Sequence, residues 1–471
     1  MHRKHLFITS IVVLIAAAVW SVEFIAPRHY RLPATDFDSA SVTAPVFMVN
    51  GLKVGEVSSD SAIVWTRLTQ NPDLEPETEW GRLVTGAPGE VRVAYWPVDN
   101  EDSRLETPWS AVDPDKDFTR QLQLTDLAPG TDYAVLVEGR PLQNTAAVTS
   151  LEGGFKTAPA IEERAAVQFT VLTGMAYHRR DAGDNGHNIF DVMLGMDLDF
   201  LVHTGDMIYY DAGMPLATTL PVARFKWNRM FSLPYQREFF KNTAGYFMKD
   251  DHDTLKNDTW PEQWYGDLTW DQGLATFREQ VPMGDSTFRT IRWGKHLQIW
   301  LVEGRDFRSP NTMPDGPDKT IWGDAQKAWF YRSVQESDAT YRLLISPTPV
   351  VGPDRSGKTD SHANLSFATE SREIREFIAT QDNMFIICGD RHWQYVTEDP
   401  ETGIIEFSVG PSSDSHAGGF KKSDESDMHR YLNIKGGFFS VNMTADAEDP
   451  EITFTHHAVD GSVYHSESFR P

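Results

Sequence analysis

Five short, predominantly apolar runs govern what this chain can fold into: Val167–Leu172, Phe200–His203, Leu297–Val302, Arg342–Ile345 and Met384–Cys388. Each is too short for a buried helix, and apart from Val167–Leu172 none alternates strictly between apolar and polar residues. That is the pattern of a strand covered on both faces. Between them lie mixed segments with helical periodicity, such as Ile189–Leu194 and Glu370–Ala379. Strands interleaved with helices predict an α/β layered domain. Near the C-terminus Ile405–Val409, Phe438–Met443 and Ile452–Phe454 predict antiparallel strands that close a second sheet.

Before Ala158-Pro159 the pattern is different. Alternating runs (Ala62–Thr66, Val91–Tyr95, Tyr133–Val137) separated by Gly, Pro, Asp and Asn predict a β-sandwich without catalytic residues. The stretch Leu127–Tyr133 resembles the turn and tyrosine of a fibronectin type III or immunoglobulin-like module. A length of 471 residues exceeds one ordinary core. The expected division is a signal peptide or membrane anchor at 1–26, a linker at 27–45, a β-sandwich at 46–158 and a catalytic domain at 159–471. The leader rests on His2–His5, basic and polar, followed by apolar Leu6–Ala18 with Ala16 and Ala18 in an A-x-A pattern. Export follows, to a periplasmic, secreted or membrane-tethered location. Cys388 stands alone, which excludes an intrachain disulfide and a cysteine zinc cage.

The 68 acidic against 43 basic side chains leave a formal charge of −25. Such a surface repels a nucleic-acid backbone, so no nucleic-acid partner is expected. It also repels a phosphate ester unless cations or arginines make the site locally positive.

Three polar clusters follow apolar runs, where α/β sheets place their sites. The first is Thr204-Gly205-Asp206-Met207-Ile208-Tyr209, which reads equally well as a βα turn whose aspartate caps a helix. The second is Lys249-Asp250-Asp251-His252-Asp253, followed by Asn257 and Asp258. Adjacent carboxylates repel one another unless a cation sits among them, and hard cations favour oxygen ligands. A solvated acidic loop is the competing reading. The third is Cys388-Gly389-Asp390-Arg391-His392, where alternate residues of an extended segment share a face and can aim at one metal; a simple turn is the alternative.

Taken in order, these clusters resemble the motifs of the PhoD-type alkaline phosphatase family, a branch of the calcineurin-like metallophosphatases. Gly205-Asp206 with Tyr209 is similar to its G-D-x-I-Y, Asp250–Asp253 to D-D-H-E/D, and Gly389–His392 to G-D-x-H. Asn50–Leu52, Val64–Arg67, Gly154–Pro159, Phe288–Gly294 and Arg305–Arg308 also resemble family segments. The resemblance implies a two-sheet metallophosphatase-like sandwich flanked by helices, behind the small all-β domain. It implies metal-dependent hydrolysis of phosphate monoesters or diesters by activated water, on a small phosphorylated substrate. Asp206, Tyr209, Asp251, Asn257, Asp390 and His392 are the implied metal residues, and His252 the implied proton donor. Arg305 and Arg308 are candidate phosphate clamps, with an ordinary structural ion pair as the competing role. Calcium, and ferric iron at the Tyr209 phenolate, are the implied cofactors.

One position departs from the family. Its first catalytic strand ends in a cysteine, whereas here Phe169–Thr173 leads into Gly174, which has no ligand atom. The replacement ligand is expected among His178, Asp181 and Asp184, or the metals differ and the shell is dominated by oxygen. The runner-up functions keep the fold: a sulfatase-like or other ester hydrolase, or a non-catalytic exported binding protein with a degenerate metal site. Trp227, Trp260, Trp264 and Trp270 read as core, with a lid over the pocket as the alternative.

Overall fold

The computed structural model describes residues 42–471 except 76, 79, 147 and 446–448. The N-terminal leader and most of the linker after it lie outside the described residues. No helix among those described is long and apolar enough to cross a membrane.

Two large sheets stack face to face. One has nine strands, with Val167–Leu172, Phe200–His203 and Ala244–Phe247 parallel at its centre. The other has seven, with Leu297–Leu301, Tyr341–Ser346, Met384–Cys388 and Ile405–Val409 parallel. The period-two geometry of a strand explains their continuous apolar runs. Phe200 and Val202, Leu343 and Ile345, Phe385 and Ile387 face the core between the sheets. Leu201 turns outward under Trp227, Phe239 and Phe240. Leu344 and Ile386 turn outward under Phe330, Val334, Ile374 and Ile378. Those outer residues belong to Leu220–Phe231, Pro234–Asn242, Gly323–Gln335 and Ala368–Ile378, all helices. The result is helix, sheet, sheet, helix, which is the two-sheet α/β fold expected.

The C-terminal strands need one correction. Ile405–Val409 runs parallel to Met384–Cys388 in the seven-stranded sheet. Phe438–Met443 and Ile452–His457 are antiparallel but extend the nine-stranded sheet beside Val167–Leu172. Runs of similar length and composition do not disclose which sheet they join.

Among the described residues, the named elements before residue 159 are strands and the 3-10 turns Glu101–Ser103 and Pro114–Lys116. Leu52–Gly55, Ala62–Arg67 and Thr119–Leu124 make one layer, and Glu90–Pro97, Asp132–Arg140 and Thr149–Lys156 belong to the other. The Tyr133 hydroxyl accepts a hydrogen bond from the Ala128 N–H at 2.9 Å, tying down the turn between them. This segment is not walled off from the rest. Gly55 pairs in parallel with Gly245, so its first layer continues the nine-stranded sheet, and one contiguous core runs through both.

Candidate metal centre

The parallel strands of both sheets end on the same edge, and the polar clusters leave from those ends. Two glycines let the loops meet. A Cβ on Gly205 would sit 2.6 Å from the Asp250 nitrogen, and one on Gly389 2.2 Å from Thr204 Oγ1. Each is followed by an aspartate in the left-handed region, Asp206 at φ 58° and Asp390 at φ 62°. A non-glycine residue adopts that conformation at some energetic cost, and such positions cluster at functional sites.

Asp206, Asp250 and Asp390 place carboxylate oxygens within 4.8 Å of one another, as do Asp206, Asp251 and His252 with their ligand atoms. Asp206 belongs to both sets. Asp206 Oδ1 and Asp250 Oδ2 are buried without a hydrogen-bond partner, whereas Asp390 Oδ2 lies 2.9 Å from Arg391 Nη1. Orphaned anionic oxygens are costly to bury and fit a cation well. Burial, followed by the neighbouring carboxylates, pushes Asp206 far above the ordinary range; burial pushes Asp250 the same way, and Asp390 to about 6. Asp251 moves the other way. Burial opposes its charge, but His252, Arg305 and the Asp258 N–H outweigh that effect and hold it low.

The Tyr209 hydroxyl donates to Asp206 Oδ2 at 3.1 Å and lies 3.3 Å from His392 Nε2. Lys226 holds this loop from below, donating to the carbonyls of Tyr209, Ala212 and Gly213. His252 Nδ1 meets Asp211 Oδ1 at 2.6 Å, and its ring packs 4.3 Å from that of Tyr209. Burial lowers the affinity of His252 for a proton, yet Asp251, Asp206 and Asp211 prevail and raise its pKa well above the usual value.

The structure therefore gathers Asp206, Tyr209, Asp251, Asp390, His392 and His252 at one edge. It does not gather Asn257. That side chain is exposed, and its backbone N–H donates to Asp211; Asp250 is the residue that joins Asp206 and Asp390. The arginine assignments are also corrected. Arg305 is fully buried, bonded to Asp250 at 2.6 Å and to the Thr259 carbonyl, and Arg308 is 2% exposed. Arg305 neutralises a carboxylate here, which is the competing structural role. Among the tryptophans, Trp227 is core, donating to Tyr210 at 2.7 Å, and Trp264 is 67% exposed.

None of the three residues downstream of Gly174 enters the site. His178 lies under Gly213, Asp181 accepts from the Asn188 N–H, and Asp184 pairs with Arg82 and Arg180. His416 stands there instead, its ring 4.1 Å from His392 and 5.2 Å from Tyr209. Sequence reasoning also missed Asp211, two residues past Tyr209; an aspartate just beyond a ligand loop was the available signal.

Asp253 has a different task. It accepts the N–H groups of Asp206 (2.6 Å), Ile208 (2.8 Å) and Asp250 (3.2 Å), stitching the first two clusters together. Asp253→Ala orphans three buried donors, each worth about 1–3 kcal/mol when unsatisfied. We expect a loss of about 3 kcal/mol or more in denaturant unfolding, with metal uptake lost as well. A destabilisation below about 1 kcal/mol rejects the stitching role.

No curated protein sequence matches the chain. Among solved structures it is similar to one described as the structure of PhoD, with TM-score 0.75 and 16% identity over 93% of this chain and 92% of that one. It is also similar to purple acid phosphatase PPD1 from yellow lupin (Lupinus luteus) seeds, with TM-score 0.65 and 12% identity over 91% and 74% of the two chains. At these identities both likenesses speak to the fold. The sequence matches the PhoD-like phosphatase model over residues 169–446 and the model of that family's N-terminal domain over 34–159. The chain belongs to the PhoD-like phosphatase family.

Proposed function

We propose that this protein hydrolyses phosphate esters of small molecules at the centre formed by Asp206, Tyr209, Asp250, Asp251, Asp390 and His392. The observation that carries the reading is the convergence of Asp206, Asp250 and Asp390, whose oxygens lie within 4.8 Å of one another, with Asp206 Oδ1 and Asp250 Oδ2 buried and unpartnered. Tyr209 and His392 with Asp206 suit ferric iron, and the carboxylates of Asp206, Asp250 and Asp390 suit calcium. Bound cations there supply Lewis-acid activation of water and neutralise charge on the ester.

The chain's own residues do the rest. His252, kept protonated by the carboxylates around it and oriented by Asp211, offers a proton to an ester oxygen as negative charge builds. Arg305 and Arg391 offset part of the carboxylate charge from within, through Asp250 and Asp390 respectively. Export belongs to the same reading, supported by the basic-then-apolar N-terminus.

The test is release of p-nitrophenol from p-nitrophenyl phosphate, bis-p-nitrophenyl phosphate and p-nitrophenyl sulfate by the metal-replete protein. Phosphate hydrolysis abolished by a chelator is the expected result. Turnover of the sulfate alone establishes the sulfatase-like alternative. Tight metal uptake without turnover of any ester establishes a binding protein.

A further inference from the structure

The loop after strand Ile405–Val409 is lashed to the end of strand Val167–Leu172. Thr173 bridges to Pro411, the Ser412 N–H donates to the Gly174 carbonyl at 3.3 Å, and Ser412 Oγ donates to the Thr173 carbonyl at 3.0 Å. The same loop touches the third cluster, the Gly418 N–H donating to the His392 carbonyl at 2.9 Å. Its one imidazole, His416, is thereby placed between Gly174 and the rings of His392 and Tyr209. A Cβ on Gly174 would already lie 3.5 Å from His416 Cε1 and 3.6 Å from Nδ1, so the imidazole occupies the space of a longer side chain there.

His416 Nδ1 lies 2.9 Å from the Gly174 carbonyl oxygen, which only accepts, so the proton sits on Nδ1. Nε2 then carries a free lone pair on the other side of the ring. A histidine oriented by an Nδ1–H to a backbone carbonyl, with its other nitrogen bare, has the arrangement of a metal ligand. We propose that His416 is a ligand of the cation held by Asp206, Tyr209 and His392, supplied from the opposite sheet to the position that Gly174 leaves open. This rests on the metal-dependent reading above. It makes that half of the centre a mixed nitrogen and oxygen site, suited to transition metals, while the carboxylate half stays suited to calcium.

The test uses metal-stripped full-length protein titrated separately with Co²⁺ and Ca²⁺. His416→Ala and His416→Asn are expected to weaken Co²⁺ binding by about tenfold to a hundredfold or more and to alter its visible band, with Ca²⁺ binding unchanged. Asn retains an N–H donor near the Nδ1 position for the Gly174 carbonyl and removes Nε2, so loss in both variants assigns the effect to ligation. Co²⁺ binding and spectrum equal to wild type in both variants overturn the inference and leave the function standing. A wild-type protein that takes up neither ion overturns both. Should either variant lose Ca²⁺ together with Co²⁺, the count of coordinated imidazoles in Cu²⁺-loaded wild type decides. Electron spin-echo modulation showing at least two supports the assignment, and a single imidazole overturns it.

Discussion

His252→Ala lowers kcat for p-nitrophenyl phosphate by about 10²–10⁴ while bound metal stays at the wild-type level. An imidazole nitrogen of His252 lies within 4.8 Å of oxygens of Asp206 and Asp251, a spacing that also suits a ligand. The charge around it in the metal-free protein favours the acid role. Nδ1 is taken by Asp211 at 2.6 Å, and the carboxylates of Asp251, Asp206 and Asp211 favour the imidazolium over the neutral ring. A protonated ring has no lone pair for a cation and has a proton to give. Asp211→Asn separates positioning from chemistry. It removes a charge that raises the His252 pKa, so the alkaline limb of the kcat profile moves to lower pH while metal content is unchanged. Loss of metal in His252→Ala reassigns the residue as a ligand, and an unmoved alkaline limb in Asp211→Asn excludes His252 as the acid.

The parts of this site that were legible in the sequence are those fixed by a single strand and its turn. Phe200–His203 and Met384–Cys388 are apolar on both faces, so their ends, and with them Asp206 and Asp390, were placed by local pattern alone. Asp250 and Asp251 followed from the repulsion of adjacent carboxylates, but which of them meets Asp390 depends on the close approach at Gly205. His416 was invisible because its position depends on the Thr173–Pro411 bridge, a contact between two sheets far apart in sequence. Arg305 was visible as a guanidinium near the site, and its use was not, since a phosphate and the carboxylate of Asp250 are recognised by the same fork of donors. The β-sandwich was readable from alternation. Its continuity with the catalytic sheet was not, because a parallel pairing across nearly two hundred residues, Gly55 with Gly245, leaves no local mark.

Stripping the metals abolishes phosphatase activity and gives the folded protein a stability that falls as pH rises from 7 to 9. In the metal-free protein burial raises Asp206 and Asp250 far above their ordinary range and Asp253 to about 7. A carboxyl raised in this way binds more protons folded than unfolded. Its support for the fold is complete below the unfolded pKa and is lost as pH climbs through the folded one. His252, raised above its usual value, acts in the same direction. Each such group contributes up to about 1.4 kcal/mol per pH unit. Lys53 and Lys226, lowered by burial, act in the opposite direction, so a net decline on the order of 1 kcal/mol per pH unit, a few degrees in Tm, is expected between pH 7 and 9. The decline weakens below about pH 6.5. There His187, His203 and His456, lowered by burial to about 3, and His416, lowered to about 4, must charge on unfolding. Restoring Ca²⁺ at pH 8.5 supplies the missing counter-charge, and at about a hundredfold over its Kd adds roughly 2.7 kcal/mol. It should also flatten the alkaline slope, because carboxylates facing a cation stay ionised. Scanning calorimetry of stripped and calcium-loaded protein across this range is the measurement. Parallel slopes in the two states exclude these aspartates as the residues that hold the ion.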